Sequence, residues 1–143
     1  MAQEAVGAIF MSISTGKVML NLRSEGVTYS NYWGFVGGKV EINETPIEAL
    51  HREIQEEMGL HVPEMLDIIP FDVFTTKNGR FKYYSFLVLV QDEFVPELND
   101  ESNGFAWVKM GMWPKPLHPG AKPTLYNESI LNDFEMIREK RRA

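Results

Sequence analysis

The sequence predicts a mixed α/β (α+β) fold, a sandwich of helices on a sheet. Three observations carry that expectation. Strand-like and helix-like stretches follow one another as strands, helix, strands, helix. Two turn signals, Thr15-Gly16 and Asn78-Gly79, stand between pairs of strand-like segments. The 143 residues are 44% apolar and 24% charged, which fits one domain over residues 1–143 with enough chain to bury a core.

Taken in order, Ala5 to Ser12 reads as a strand and Lys17 to Leu22 as its partner across Thr15-Gly16. Tyr32 to Val36 is short and aromatic, and Gly37-Gly38 is expected to end it. A helix is predicted from Pro46 to Met58. Thr45-Pro46-Ile47-Glu48 supplies a cap, a proline suited to the first helical turn and a capping-box glutamate, while Gly59 suits the position that ends a helix. Ile47, Leu50, Ile54 and Met58 recur at helical spacing as the expected buried stripe. Met65 to Thr75 and Phe81 to Gln91 read as longer strands, and Phe105 to Met110 as a further one. Four prolines between Met110 and Thr124 argue against a regular element there. A second helix is predicted from Leu125 to Arg141, with Ile130, Leu131, Phe134 and Ile137 on its apolar face.

Composition removes several classes of function. With no cysteine there is no disulfide framework, no cysteine zinc site and no thiol nucleophile. No apolar run reaches the roughly 18 residues of a membrane span. The segment MAQEAVGAIF has no basic stretch ahead of its apolar part, so it does not read as a secretory signal, and a cytoplasmic, membrane-free protein is expected. The net charge of −6 disfavours a broad nucleic-acid surface but allows a small anion bridged by metal ions.

The first helix carries the chemistry on a second face. Glu53, Glu56 and Glu57 are spaced three and four residues apart, and at 3.6 residues per turn they fall within about 100° of one another. Carboxylates so close repel unless compensated. Arg52 offsets part of the charge from beside the cluster, and Glu44, at the helix entrance, can reach toward Arg52 as an orienting partner. Hard oxygen ligands without His or Cys favour Mg2+, with Mn2+ as a substitute. Taken alone, three glutamates on a helix more often mean a solvated acidic face; the bare backbone of Gly37-Gly38 just upstream shifts the weight toward a site.

The stretch from Gly38 through Glu44 and Arg52-Glu53-Ile54-Gln55-Glu56-Glu57-Met58-Gly59-Leu60 resembles the Nudix box, over residues 38–60. Its pattern is glycine, five residues, glutamate, seven residues, Arg-Glu, an aliphatic, any residue, Glu-Glu, any residue, glycine, aliphatic; every fixed position matches. The resemblance implies an α/β/α sandwich around a central mixed sheet and hydrolysis of a diphosphate linkage in a nucleotide-like substrate. It implies magnesium on Glu53, Glu56 and Glu57 with a backbone carbonyl of Gly37 or Gly38, and structural support of the box from Gly38, Glu44 and Arg52. One departure stands out: Val36 occupies the place before the paired glycines where relatives often carry proline.

Outside the box, Glu97, Asp100 and Glu101 are candidates for an acidic ligand or base from a distant loop, with Glu101 preferred. Arg23, ending the second strand, is a candidate for a substrate phosphate. Tyr32, Trp33 and Phe35 are candidates for stacking on a base, although a short aromatic strand more often packs inward; Phe81, Tyr83 and Trp107 receive less weight. His51, His61 and His118 read as structural or solvated, with His118 best placed for a role because its proline-rich loop can border a pocket. Lys140-Arg141-Arg142 reads as a solvated tail. The favoured substrate is a small nucleoside diphosphate derivative such as ADP-ribose or a dinucleoside polyphosphate. A canonical or oxidised (deoxy)nucleoside triphosphate comes second and a capped or 5′-triphosphate RNA third. A Nudix-fold module that senses a nucleotide without cutting it would be expected to lack box glutamates, all of which are present here. A monomer or homodimer is expected.

Overall fold

The computed structural model describes residues 3–59 and 63–142, so the Leu60 that closes the box motif and His61 lie outside the described residues. β1 (Gln3–Ser12) is the centre of a seven-stranded sheet. It pairs in parallel with β6 (Phe81–Val90) over its whole length, Gln3 opposite Phe81 through Ser12 opposite Val90. On its other edge the N-terminal half pairs antiparallel with β4 (Val36–Lys39) and the C-terminal end with β2 (Val18–Arg23). β2 also pairs with β3 (Trp33–Gly34) and β7 (Ser102–Val108), and β5 (Asp67–Thr75) closes the sheet beyond β6. The sheet is therefore mixed.

Why β1 is buried along both faces follows from what covers it. One face packs on α1 (Pro46–Met58), joining Val6, Ala8 and Phe10 to Leu50, Ile54 and Met58. The other packs on the C-terminal region, joining Ile9 and Met11 to Leu117, Leu125 and Phe134. A strand covered on two sides needs no polar alternation, which is why residues 5–12 read as a nearly continuous apolar run. Truncating Leu50, wholly buried between helix and sheet, would cost about 2–5 kcal/mol.

Both expected hairpins are present. Gly16 adopts φ 76° between β1 and β2, and Gly79 adopts φ 70° between β5 and β6, where Thr76 N–H donates to Phe81 O. α1 starts with the full capping box: Glu48 N–H donates to Thr45 Oγ1, and Thr45 N–H to Glu48 Oε1. Four expectations need correction. Ile47 is exposed, because the buried face of α1 is Ala49, Leu50, Glu53, Ile54, Glu57 and Met58. Gly37-Gly38 do not end a strand; they lie inside β4, opposite Gly7 and Val6. The proline-rich stretch holds a short helix, α2 (Lys122–Leu125), with Pro123 in its first turn, where no helical N–H partner is lost. The predicted second helix is broken at Tyr126-Asn127, and α3 runs from Glu128 to Arg142. Among the described residues no helix is long and apolar enough to cross a membrane.

Candidate active site

A cleft opens where β2 and β4 part company. One end of it is a chamber of about 370 Å³ walled by Asn21 and Arg23 of β2, Gly37 and Gly38 of β4, Glu53 and Glu57 of α1, and Glu101. Each of Glu53, Glu57 and Glu101 contributes a carboxylate oxygen to a group whose members lie within 4.8 Å of one another. Thus α1 aims two of its three box glutamates inward on the buried face, and the loop before β7 supplies the third carboxylate.

Backbone geometry explains the glycines. A Cβ on Gly37 would overlap the Val6 carbonyl of β1, and one on Gly38 would overlap the Glu53 carboxylate. Close approach of β4 both to β1 and to α1 is what the pair allows. Gly37 N–H then donates to Glu57 Oε2 at 2.9 Å. Arg52 grips the framework from the side. Its Nε and Nη2 donate to the two oxygens of Glu44 at 2.8 and 3.0 Å, Nη2 also to Lys39 O at 2.9 Å, and Nη1 to Glu53 Oε1 at 2.9 Å. This bidentate pair holds Glu44 down to about 2, well below the usual carboxylate range. Glu56 stands apart: its half-exposed side chain meets Arg52 Nη1 at 3.4 Å. Glu101 is delivered by a loop tied to the end of α1, where Glu97 N–H donates to Met58 O and Asn99 Nδ2 to Glu56 O, each at 2.9 Å. Asn99 Oδ1 then accepts from Glu101 N–H. Asp100 lies exposed on that loop.

Burial, and next the negative charge of Glu53, push the Glu57 carboxyl up to about 9, against the pull of the Gly37 N–H; Glu101 adds to the rise. Glu53 is also raised, chiefly by burial, although Arg52 opposes it. Buried acidic oxygens with too little counter-charge fit a divalent cation, and an all-oxygen donor set fits Mg2+ or Mn2+.

The other end of the cleft is an aromatic chamber of about 440 Å³. Phe35, Phe74, Phe81 and Tyr83 line it, together with Asp72 and the His118–Ala121 segment. Arg23, Phe35, Gly37 and Gly38 line both ends, so the two are contiguous. Arg23 is oriented at that junction by Nε to Thr28 O at 2.7 Å and Nη2 to Thr28 Oγ1 at 3.2 Å. Tyr83 reaches the junction over Gly7, where a Cβ would overlap the phenol. Burial lowers the pKa of His118, and its Nδ1 accepts from Gly120 N–H at 2.9 Å, which leaves the ring proton on Nε2.

Of the aromatic candidates, Phe35 lines both chambers. Tyr32 instead packs edge-on against Tyr29, Trp33 packs against the α2–α3 side of the core, and Trp107 donates its N–H to Phe94 O at 2.8 Å. His51 is exposed on α1. At the end of α3, Arg141 pairs with Asp67 at 3.0 Å and Arg142 with Glu139 at 3.3 Å. Sequence reasoning missed Asn99, Asp72 and the small-residue wall at Gly120-Ala121, whose places depend on contacts between distant segments.

A NUDIX domain family model matches residues 1–127, and the chain belongs to that family. It is 33% identical over 102 residues to an RNA pyrophosphohydrolase of Helicobacter pylori, covering 68% of this chain and 64% of that protein. Over 43 residues it is 51% identical to an 8-oxo-dGTP diphosphatase of Proteus vulgaris, covering 29% of this chain and 38% of that one. The chain thus spans less than two thirds of these curated relatives. Its fold is similar to a crystal structure of a MutT NUDIX hydrolase from Burkholderia pseudomallei, with a TM-score of 0.67, 23% identity, and 87% of this chain and 96% of that one covered.

Proposed function

We propose that the protein is a divalent-cation-dependent pyrophosphohydrolase that cuts the phosphoanhydride bond of a nucleoside diphosphate joined to a further group. ADP-ribose and dinucleoside polyphosphates belong to this substrate class. The observation that carries the reading is the contiguity of the Glu53–Glu57–Glu101 group with the aromatic chamber, which suits a ligand with a diphosphate at one end and a base at the other.

Glu53, Glu57 and Glu101 would hold Mg2+ or Mn2+, with the Gly37 carbonyl and, by a turn of its exposed side chain, Glu56 as further ligands. When bound, the cation neutralises the diphosphate and makes a water more acidic. The chain's own groups do the rest. Arg23, pre-oriented by Thr28, binds a phosphate oxygen at the junction. Glu44 and Arg52 keep the β4–α1 corner rigid so that Glu53 keeps its aim. The Glu101 carboxylate, beside Glu57, is suited to accept a proton from the attacking water. The apolar walls keep bulk water from the nucleoside.

A second reading, in which the further group is phosphate and the substrate a (deoxy)nucleoside triphosphate, canonical or oxidised, is favoured by the diphosphatase name of the Proteus vulgaris relative. A panel of nucleoside triphosphates, nucleoside diphosphate sugars and dinucleoside polyphosphates with Mg2+, read by product identity, tests both. Turnover of at least one class is expected. No turnover of any, with nucleotide still bound, would point instead to a sensing module.

A further inference from the structure

We propose, on the reading of the cleft as a nucleotide site, that the aromatic chamber is a guanine site in which the two oxygens of Asp72 select the base. The placement of Asp72 rests on a β-bulge. Along the β5–β6 ladder Pro70 stands opposite Phe86, and the next pair is Asp72 with Ser85, so Phe71 has no partner. Phe71 points to the α3 side, where its ring meets Phe134 edge-on at 5.0 Å. Unbroken alternation would turn Asp72 to the opposite face, toward α1. The extra residue turns it back to the side of Ser85, Tyr83 and Phe74, at the rim of the aromatic chamber.

The chamber's chemistry then narrows the ligand. Its volume lies in the range of small-molecule sites, roughly 300–1,000 Å³. Four aromatic rings line it, and among the described residues of its wall the carboxylate and guanidinium charges are those of Asp72 and Arg23. Arg23 stands at the junction with the acidic end, where the phosphates belong, so Asp72 is left to face the base. A carboxylate presents two acceptors side by side and no donor. Guanine offers a matching edge, the ring N1–H next to the exocyclic amino group. Adenine and cytosine each set their amino group beside a ring nitrogen acceptor, and uracil and thymine flank their one imide N–H with carbonyl oxygens. For each of these the second carboxylate oxygen would meet a lone pair, and a polar group left so mismatched rejects a ligand strongly. Hypoxanthine keeps N1–H and lacks the amino group, so it should stand between. An 8-oxidised guanine keeps both donors and remains a fit. Adenine-based derivatives are then the weaker members of the substrate class.

The test is equilibrium binding of GDP, IDP and ADP to the whole chain with Mg2+ present, which requires no bond to be cut. GDP should bind about tenfold or more tighter than ADP, with IDP between, the discrimination of one good bidentate pair. Asp72→Asn, which turns one acceptor into a donor, and Asp72→Ala should each collapse the gap. Asp72 is exposed, so both variants should fold, which circular dichroism checks. Equal binding of GDP and ADP by the native protein, or a gap that survives both substitutions, overturns the guanine assignment while leaving the nucleotide reading intact. Failure of all three to bind, while other diphosphate compounds are hydrolysed, overturns the nucleotide reading and this assignment with it.

Discussion

The two ends of the cleft are built in opposite ways. The acidic end draws two of its three convergent carboxylates from one turn of α1 and the third from a loop pinned to the end of that helix. The aromatic end is assembled from β1, β4, β5, β6 and the segment before α2, which are distant in sequence. The acidic end is also costly in isolation, since burial and Glu53 push Glu57 up to about 9, whereas the aromatic end is an ordinary apolar surface. On the function proposed, the bond-breaking chemistry would be local and recognition would not. Changes at one end should alter turnover and metal binding, and changes at the other should alter affinity and base preference.

The largest effect should come from removing metal. EDTA should abolish hydrolysis, and Mg2+ or Mn2+ should restore it without zinc; full activity in chelator would break the assignment of the acidic end. Glu57→Gln comes next. Turnover should fall by about two to four orders of magnitude, while the melting temperature in EDTA holds or rises because Gln is spared the cost of keeping a buried carboxyl protonated. Wild-type turnover at saturating Mg2+ would refute the role. Arg52→Ala should lower stability and activity together, since it leaves Glu44 and Lys39 O without their partner. Loss of activity at unchanged melting temperature and metal affinity would give Arg52 a direct role on substrate instead.

At the aromatic end, Phe81→Leu should raise KM about tenfold with kcat nearly kept, the scale of one lost stacking contact. A fall in kcat alone would erase the division between the two ends. The smallest effect is on pH dependence. Glu57 is raised in the metal-free fold, so its contribution to stability is complete below the ordinary carboxylate pKa and is lost as pH climbs through about 9. Melting temperature in EDTA should therefore drift down from pH 5 to pH 9, and Mg2+ should flatten or reverse the drift. Glu44 has the opposite sign: its contribution is present above the ordinary carboxylate range and is lost as pH falls through about 2, outside that window. A drift unchanged in Glu57→Gln would mean that another group causes it.

How much of this was legible in the sequence follows the same division. The helix, its capping box and the acidic face are set by residues within a few turns of one another, and periodicity reads such features directly. The covered strand β1 was legible from its apolar run. Ile47 was misassigned because its helical spacing matches the stripe, yet the buried face is made by the pairs Ala49-Leu50, Glu53-Ile54 and Glu57-Met58, and Ile47 falls at its edge. Gly37-Gly38 looked like a strand end; only the pairing with β1 shows that bare backbone is needed inside the strand. The bulge at Phe71 and the approach of His118–Ala121 to Phe81 depend on register and tertiary packing, so Asp72 carried no signal in its own neighbourhood.

Direct attack of water on a phosphorus held at the carboxylate end is tested by single-turnover hydrolysis in oxygen-18 water with mass analysis of both products. No cysteine is available as a nucleophile, and the converging carboxylates are assigned to metal. One labelled oxygen is expected, in one of the two product phosphates only. Label divided between both products, or a trapped phosphoryl- or nucleotidyl-enzyme, would contradict it.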